Sequence, residues 1–284
     1  MHKLRVTLEM IKWEHSIFAL PFALTGAVLA AGGWPRLRVL VLVVISMVAA
    51  RSAAMAFNRL ADAELDATNP RTKMRALPSG LLQKGVVAAF VIATSGMFIL
   101  CAGMLNRQCM RLSLPALVVL LGYSYAKRVT RWPHIILGLA LGIAPAAAWI
   151  AVRGSLDARI LVLTLAVLLW VAGFDVLYAC QDVEHDRAEG LHSVPADFGV
   201  QGAFWAARAL HLLMLTALVA VQRLFGLGHI AAAGIVVTAA LLAYEHSIVS
   251  PRDLRRMNAA FFTLNGIVSV LYFGFVAADV LLRR

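Results

Sequence analysis

With 284 residues, 61% of them hydrophobic and only 14% charged, the chain has a mean hydropathy of +0.81 and too little polar surface to coat a water-soluble domain. A helical bundle in lipid needs only apolar exteriors and backbones satisfied within each helix, so the composition points to an integral membrane protein, a single domain over residues 1–284. The net charge of +11 is ordinary for the basic loops that orient such a protein, which leaves no reason to invoke nucleic acid.

Apolar runs of roughly 20 residues, the length a helix needs to cross a bilayer, fall at 16–33, 38–57, 85–105, 112–125, 134–152, 159–181, 203–222, 228–249 and 259–281. They predict an all-α bundle of nine transmembrane helices. The first run is followed by Gly32, Gly33 and Trp34 with no small-residue cleavage site, so it reads as an uncleaved span. The fourth is short and carries Pro115, which predicts a kinked or tilted helix whose freed carbonyl is met by neighbours. Cys101, Cys109 and Cys180 have no C-x-x-C spacing and read as small packing residues. Trp13, Trp34, Trp132 and Trp149 lie near span ends, as an aromatic belt would.

Nine spans put the N-terminal segment and the even-numbered loops on one side, with 15 of the 26 Lys and Arg; the other side has nine, and Arg51 and Arg208 lie inside spans. The excess predicts a cytoplasmic N-terminus. The same parity puts the two longest polar loops, 58–84 and 182–201, on the cytoplasmic side. Arg252, Arg255 and Arg256 read as orienting charge near anionic headgroups. His15, His134, His192, His211, His229 and His246 are scattered without ligand spacing, and Glu245 reads as an interfacial residue at a span end.

Each long loop opens on a regular acidic set. NRLADAELD places Asn58, Asp62 and Asp66 four residues apart, on one face if helical. GFDVLYACQDVEHD places Asp175, Tyr178, Asp182 and Asp186 at spacings of three, four and four. Asp and Asn are hard oxygen ligands suited to Mg²⁺, whose shell is commonly completed by water and substrate phosphate. Arg71, Lys73, Arg75, Lys127 and Arg128 can neutralise phosphate charge left unmet by metal. In lipid, this combination fits the diphosphate of an isoprenoid whose tail lies among apolar helices. A cation-coupled transporter is the competing class, but its carboxylates belong near the bilayer midplane rather than at span ends.

These residues carry a resemblance. Asn-x-x-x-Asp-x-x-x-Asp after a span, the continuation NPRTKMRALPSG, the segment GYSYAKR, and YACQDVEHD followed by GLHS together resemble the UbiA superfamily of intramembrane prenyltransferases. The likeness covers most of the chain, and is greatest to 4-hydroxybenzoate polyprenyltransferases and to UbiA-like enzymes of the futalosine route to menaquinone. MIKWEHSIFALPFAL is nearer the latter. The resemblance implies a nine-helix bundle around a central cavity opening near the cytoplasmic side, with Mg²⁺ between the two motifs and the diphosphate. It implies that Asn58, Asp62, Asp66, Asp182 and Asp186, with Asp175 as a further candidate, hold metal. It also implies that Lys127 and Arg128 serve the diphosphate, to which Asn58, Arg71, Arg75 and Tyr178 are assigned beside them, and that Arg51 serves the aromatic acceptor. Where many relatives have lysine before serine, this chain has Gly190, Leu191, His192 and Ser193, so a lysine contact to phosphate is not expected there. The implied reaction moves a polyprenyl group onto a 4-hydroxybenzoate-type acid or a futalosine-route naphthoate, in quinone biosynthesis.

Overall fold

The computed structural model describes residues 2–11, 18–255, 257 and 263–283. His15, Trp13 and Arg256, and the first residues expected of the first and last spans, lie outside them. The helices are α1 (His2–Ile11), α2 (Leu20–Ala31), α3 (Leu37–Ala61), α4 (Ala63–Thr68), α5 (Lys84–Leu105), α6 (Arg107–Gly122), α7 (Ala126–Val129), α8 (Pro133–Gly142), α9 (Ala144–Arg153), α10 (Ile160–Ala179), α11 (Val183–Ala188), α12 (Val194–Leu224), α13 (His229–Ile248) and α14 (Asn265–Leu282). No strand occurs among the described residues. Eight helical segments are long and apolar enough to cross a bilayer; α2, with 12 described residues, is the described part of the expected first span.

Three spans differ from their expected form. The fourth is longer, running from Arg107 to Val129 through a 3₁₀ turn at Tyr123–Tyr125, with Pro115 inside α6. Asn106 starts it by accepting the Cys109 N–H at 2.9 Å. The fifth is two helices meeting at Ile143, two residues before Pro145. The seventh begins earlier than expected, at Val194, and turns at Gly199, whose φ of +79° favours glycine.

The interior core joins Phe22, Trp149, Trp170, Phe174, Met214 and Tyr272, drawn from α2, α9, α10, α12 and α14. The Phe22 ring lies 5.0 Å from Trp170 and 5.6 Å from Tyr272. Trp149 is therefore a core residue, packed at 5.6 Å against Phe225, and not part of a belt. Lipid tails are as apolar as the core, so helices associate through close packing and polar bonds. Gly138 and Gly142 let α8 meet α10 directly: a Cβ on Gly142 would stand 2.9 Å from the Thr164 carbonyl oxygen. Trp170 Nε1 donates to Asn265 Oδ1 at 2.8 Å, and Asn265 Nδ2 donates to Glu245 Oε1 at 3.1 Å. Glu245 is thus a buried inter-helix residue rather than an interfacial one, because Asn265 of α14 meets it from the facing helix.

Candidate active site at the polar end of the bundle

The first acidic set lies on a hinge. α3 stops at Ala61, Asp62 turns with φ −98° and ψ 7°, and α4 starts at Ala63. Four-residue spacing survives the turn, since Asp62 N donates to the Asn58 carbonyl at 2.9 Å and Asp66 N to the Asp62 carbonyl at 2.7 Å. Asn58 Nδ2 donates to Asp62 Oδ2 at 3.1 Å. Lys127 Nζ reaches the same oxygen at 3.1 Å, and Arg128 Nη2 reaches Asp62 Oδ1 at 3.1 Å and the Ala61 carbonyl at 2.6 Å. The 3₁₀ turn after α6 delivers this basic pair to Asp62. Asp66 is buried too, with Arg75 Nη1 at 2.7 Å from Oδ1. Its Oδ2 is buried without a hydrogen-bond partner.

The second set is joined to the first through the intervening loop. Asp182 Oδ1 accepts from Asn69 Nδ2 at 3.0 Å and from Arg71 Nε at 2.8 Å, and Arg71 Nη2 closes the pair on Oδ2. Arg71 Nη1 also donates to the Tyr178 hydroxyl at 3.1 Å, with its guanidinium over the Tyr178 ring. Asp186 Oδ2 accepts from Ser193 Oγ at 3.1 Å, and Ser193 in turn caps α12 by accepting the Ala196 N–H. His192 N donates to the Lys127 carbonyl at 2.7 Å, while its ring faces Asp197 at 3.3 Å. Where relatives of the resembled family carry lysine, this loop therefore fastens the backbone of a lysine from elsewhere.

Surroundings split the two carboxylates of the second set. Burial opposes ionisation of Asp182, but the hydrogen bonds and charge of Arg71, with Asn69, outweigh it and hold the group below the usual carboxylate range. Burial pushes Asp186 above that range; the Ser193 bond works against this, the Asp182 charge adds to it, and Lys127 opposes it.

Asp175 goes elsewhere. Its Oδ2 stands 2.7 Å from His134 Nδ1, and His134 Nε2 accepts the Val194 N–H at 3.2 Å, which leaves Nδ1 carrying the proton. Arg51, deeper along α3, has a buried Nε without a partner, and Lys73 is exposed. Sequence reasoning passed over Arg59 and Tyr123. Arg59 is buried, and both it and Arg51 lie within electrostatic reach of the Tyr123 hydroxyl, as do Asp62 and Asp175. The signal was available for Arg59, since an arginine beside Asn58 at the end of an apolar helix has to face a partner or cavity.

The donors suit a hard divalent cation in type, and the orphaned buried Asp66 Oδ2 is the sort of oxygen such an ion would satisfy. In the present arrangement Asp62, Asp66 and Asp182 turn to basic side chains, and no three His, Cys, Asp or Glu side chains among the described residues form a metal-holding group.

Comparison with known proteins adds to this geometry. A 4-hydroxybenzoate octaprenyltransferase of Vibrio cholerae is 32% identical over 270 residues, covering 93% of this chain and 93% of the relative. A UbiA homologue from Aeropyrum pernix K1, solved in its apo state, is 34% identical with a TM-score of 0.86, covering 94% of this chain and 98% of that one. A UbiA homologue from Archaeoglobus fulgidus, solved with DMAPP and Mg²⁺, has the same fold at 21% identity and a TM-score of 0.71, over 96% of this chain and 98% of that one. The model of the UbiA prenyltransferase family matches residues 19–267, and this chain belongs to that family.

Proposed function

We propose that the protein transfers a polyprenyl group from a polyprenyl diphosphate to a 4-hydroxybenzoate-type aromatic acid in quinone biosynthesis, with Mg²⁺ as cofactor. The observation that carries this reading is the join between the acidic loops, in which Asn69 and Arg71, five residues or fewer beyond Asp66, bind Asp182. One ligand can then meet both motifs. The names of relatives at this level of identity support the acceptor class. The DMAPP and Mg²⁺ in the Archaeoglobus homologue support the donor and the metal.

Asn58, Asp62, Asp66, Asp182 and Asp186 would hold the metal, while Asp175, read from the sequence as a further candidate, is engaged by His134 instead. Bound there, Mg²⁺ supplies Lewis acidity toward phosphate oxygens and neutralises leaving-group charge. Arg71, Arg75, Lys127 and Arg128 hold the carboxylates in position and bind phosphate oxygens, with Tyr178 steadying Arg71. As the C1–O bond breaks, its electrons pass to the diphosphate and C1 becomes an allylic cation. The ring carbon ortho to the phenol attacks C1, and the ring proton leaves to a base or to the departing diphosphate. Arg51 binds the acceptor carboxylate and so sets the ring's orientation, a role of position rather than proton transfer. The apolar helices keep water from the cation. This reading goes with a polar end in the cytoplasm of a bacterial inner membrane, supported by the 15 basic residues on that side.

The test is a membrane assay with a polyprenyl diphosphate and 4-hydroxybenzoate, a dihydroxynaphthoate or no acceptor, with and without Mg²⁺. Prenylated 4-hydroxybenzoate formed only with Mg²⁺ is the expected product. A prenylated naphthoate would move the protein to the menaquinone branch, and donor uptake without any product would favour a transporter. Arg51→Ala should raise the KM for the acceptor about tenfold, the size of one charge-assisted contact, and leave the donor KM in place.

A further inference from the structure

The loop between α13 and α14 reads from the sequence as orienting charge, yet it stands beside the acidic end. A cleft of about 600 Å³ is lined there by Arg71 and Gln181 together with Arg252, Asp253, Leu254 and Arg255. The loop is fixed on both flanks, because Val249 and Met257 are buried against Val176, Leu177 and Cys180 at the end of α10. Between them, Ser250 and Asp253 exchange backbone hydrogen bonds, and Ser250 Oγ accepts the Asp253 N–H at 3.1 Å. The Asp253 carboxylate accepts the Arg255 N–H at 3.0 Å and its guanidinium at 2.7 and 2.9 Å. Residues 249–255 have a set shape.

The charges on the cleft do not cancel. Arg71 is paired with Asp182 and Arg255 with Asp253, whereas the Arg252 side chain makes no ion pair or hydrogen bond among the described residues. Arg252 therefore brings an uncompensated positive charge to the cleft that Arg71 also lines. Orientation alone asks for none of this, since a positive charge near a span end acts from a loop of any shape.

We propose that Arg252 is a donor-binding residue, its guanidinium meeting phosphate oxygens of the diphosphate in the cleft it shares with Arg71. The loop between α13 and α14 is then one wall of the leaving-group site. Arginine suits this place because its planar fork matches phosphate geometry and stays charged. The inference rests on the diphosphate reading given above, and Arg252 acts by binding, not by taking part in bond changes.

The experiment uses full-length protein in vesicles, with Arg252→Gln and Arg252→Lys beside wild type. Calorimetric titration with inorganic pyrophosphate and Mg²⁺ measures binding without turnover, and steady-state assays give each KM. Arg252→Gln should weaken pyrophosphate binding and raise the donor KM about fivefold, a charge contact discounted for exposure, with kcat and acceptor KM within about twofold of wild type. Arg252→Lys should recover much of the loss, and an unchanged melting temperature separates the effect from misfolding. The same effect is expected in neutral phosphatidylcholine vesicles and in vesicles containing anionic phosphatidylglycerol. An effect confined to anionic vesicles, with pyrophosphate affinity unmoved, would make Arg252 a headgroup contact and overturn the proposal. If wild type makes product while Arg252→Gln keeps full pyrophosphate affinity, only the role of Arg252 fails. If wild type turns over no donor and binds no pyrophosphate, the functional reading fails with it.

Discussion

Asp62 and Asp182 hold the same place in the two halves of the chain: each follows a long helix, turns near φ −98° and ψ 7° or φ −112° and ψ 9°, and opens a helix of six residues. Their surroundings differ. Asp62 is met by Asn58, Lys127 and Arg128, while among the described residues Asp182 is ion-paired with Arg71 alone, on a loop from the other half. Asp66 is paired with Arg75, whereas Asp186 accepts only a serine hydroxyl among the side-chain bonds described. The cations paired with both acidic sets come from the chain before residue 129. The difference teaches that the halves repeat a backbone device without repeating its chemistry, and that the second set takes its cation from the first half. Two similar hinges thus make one site.

The comparison can be broken most severely at the hinges themselves. Asp62→Ala and Asp182→Ala should each cut turnover by about 10³-fold or more, the scale of losing a main electrostatic contact in a transition state. Both proteins should still insert, which fractionation and assay together would establish. Near-normal rates in either would remove the proposed roles. Arg71→Gln should cost about a hundredfold in kcat/KM and Lys127→Gln about tenfold, because Asp182 loses the one cation that ion-pairs with it among the described residues while Asp62 keeps Arg128. Equal losses would mean that the redundancy at Asp62 has no consequence.

Acidity sharpens the contrast within the second set. In metal-free protein, the stability contributed by the depressed Asp182 is present above the ordinary carboxylate value of about 3.9 and is lost as pH falls through its lower folded value. Asp186 has the opposite sign: its folded value is raised, so its ionisation costs stability at neutral pH and the cost disappears on acidification. Asp182→Asn should therefore lower the melting temperature at pH 7 and Asp186→Asn should raise it, with both differences shrinking in acid. The smallest effect is expected of Ser193→Ala, which removes a helix cap and the Asp186 bond; about 1 kcal/mol of stability, read from thermal unfolding, is the usual cost of such a cap.

Much of this was legible before the fold was known. Apolar runs located the spans because a bilayer allows little else, and the four-residue rhythm of Asn58, Asp62 and Asp66 outlasted a hinge that interrupts the helix. Partners across the bundle were not legible. Nothing local to Asp175 points to His134, 41 residues away, and nothing local to Asp182 points to Asn69, 113 residues away. Glu245 misled because distance to a span end is read along one helix, whereas its burial comes from Asn265 on another. Tyr123 was hidden as one tyrosine of an ordinary-looking GYSY turn, with its charged neighbours supplied by α3, the hinge after it and α10.

The most direct measurement is a double-mutant cycle on binding. A non-ionising polyprenyl thio-diphosphate would be titrated with Mg²⁺ against wild type, Asp62→Asn, Asp182→Asn and the double variant. If both hinges grip one ligand, each single substitution should remove most of the Mg²⁺-dependent affinity and the second should add little to the first, a coupling well beyond the roughly 0.5 kcal/mol seen between independent sites. Losses that simply add would mean that the two acidic sets act on separate ligands, and would contradict the single site described above.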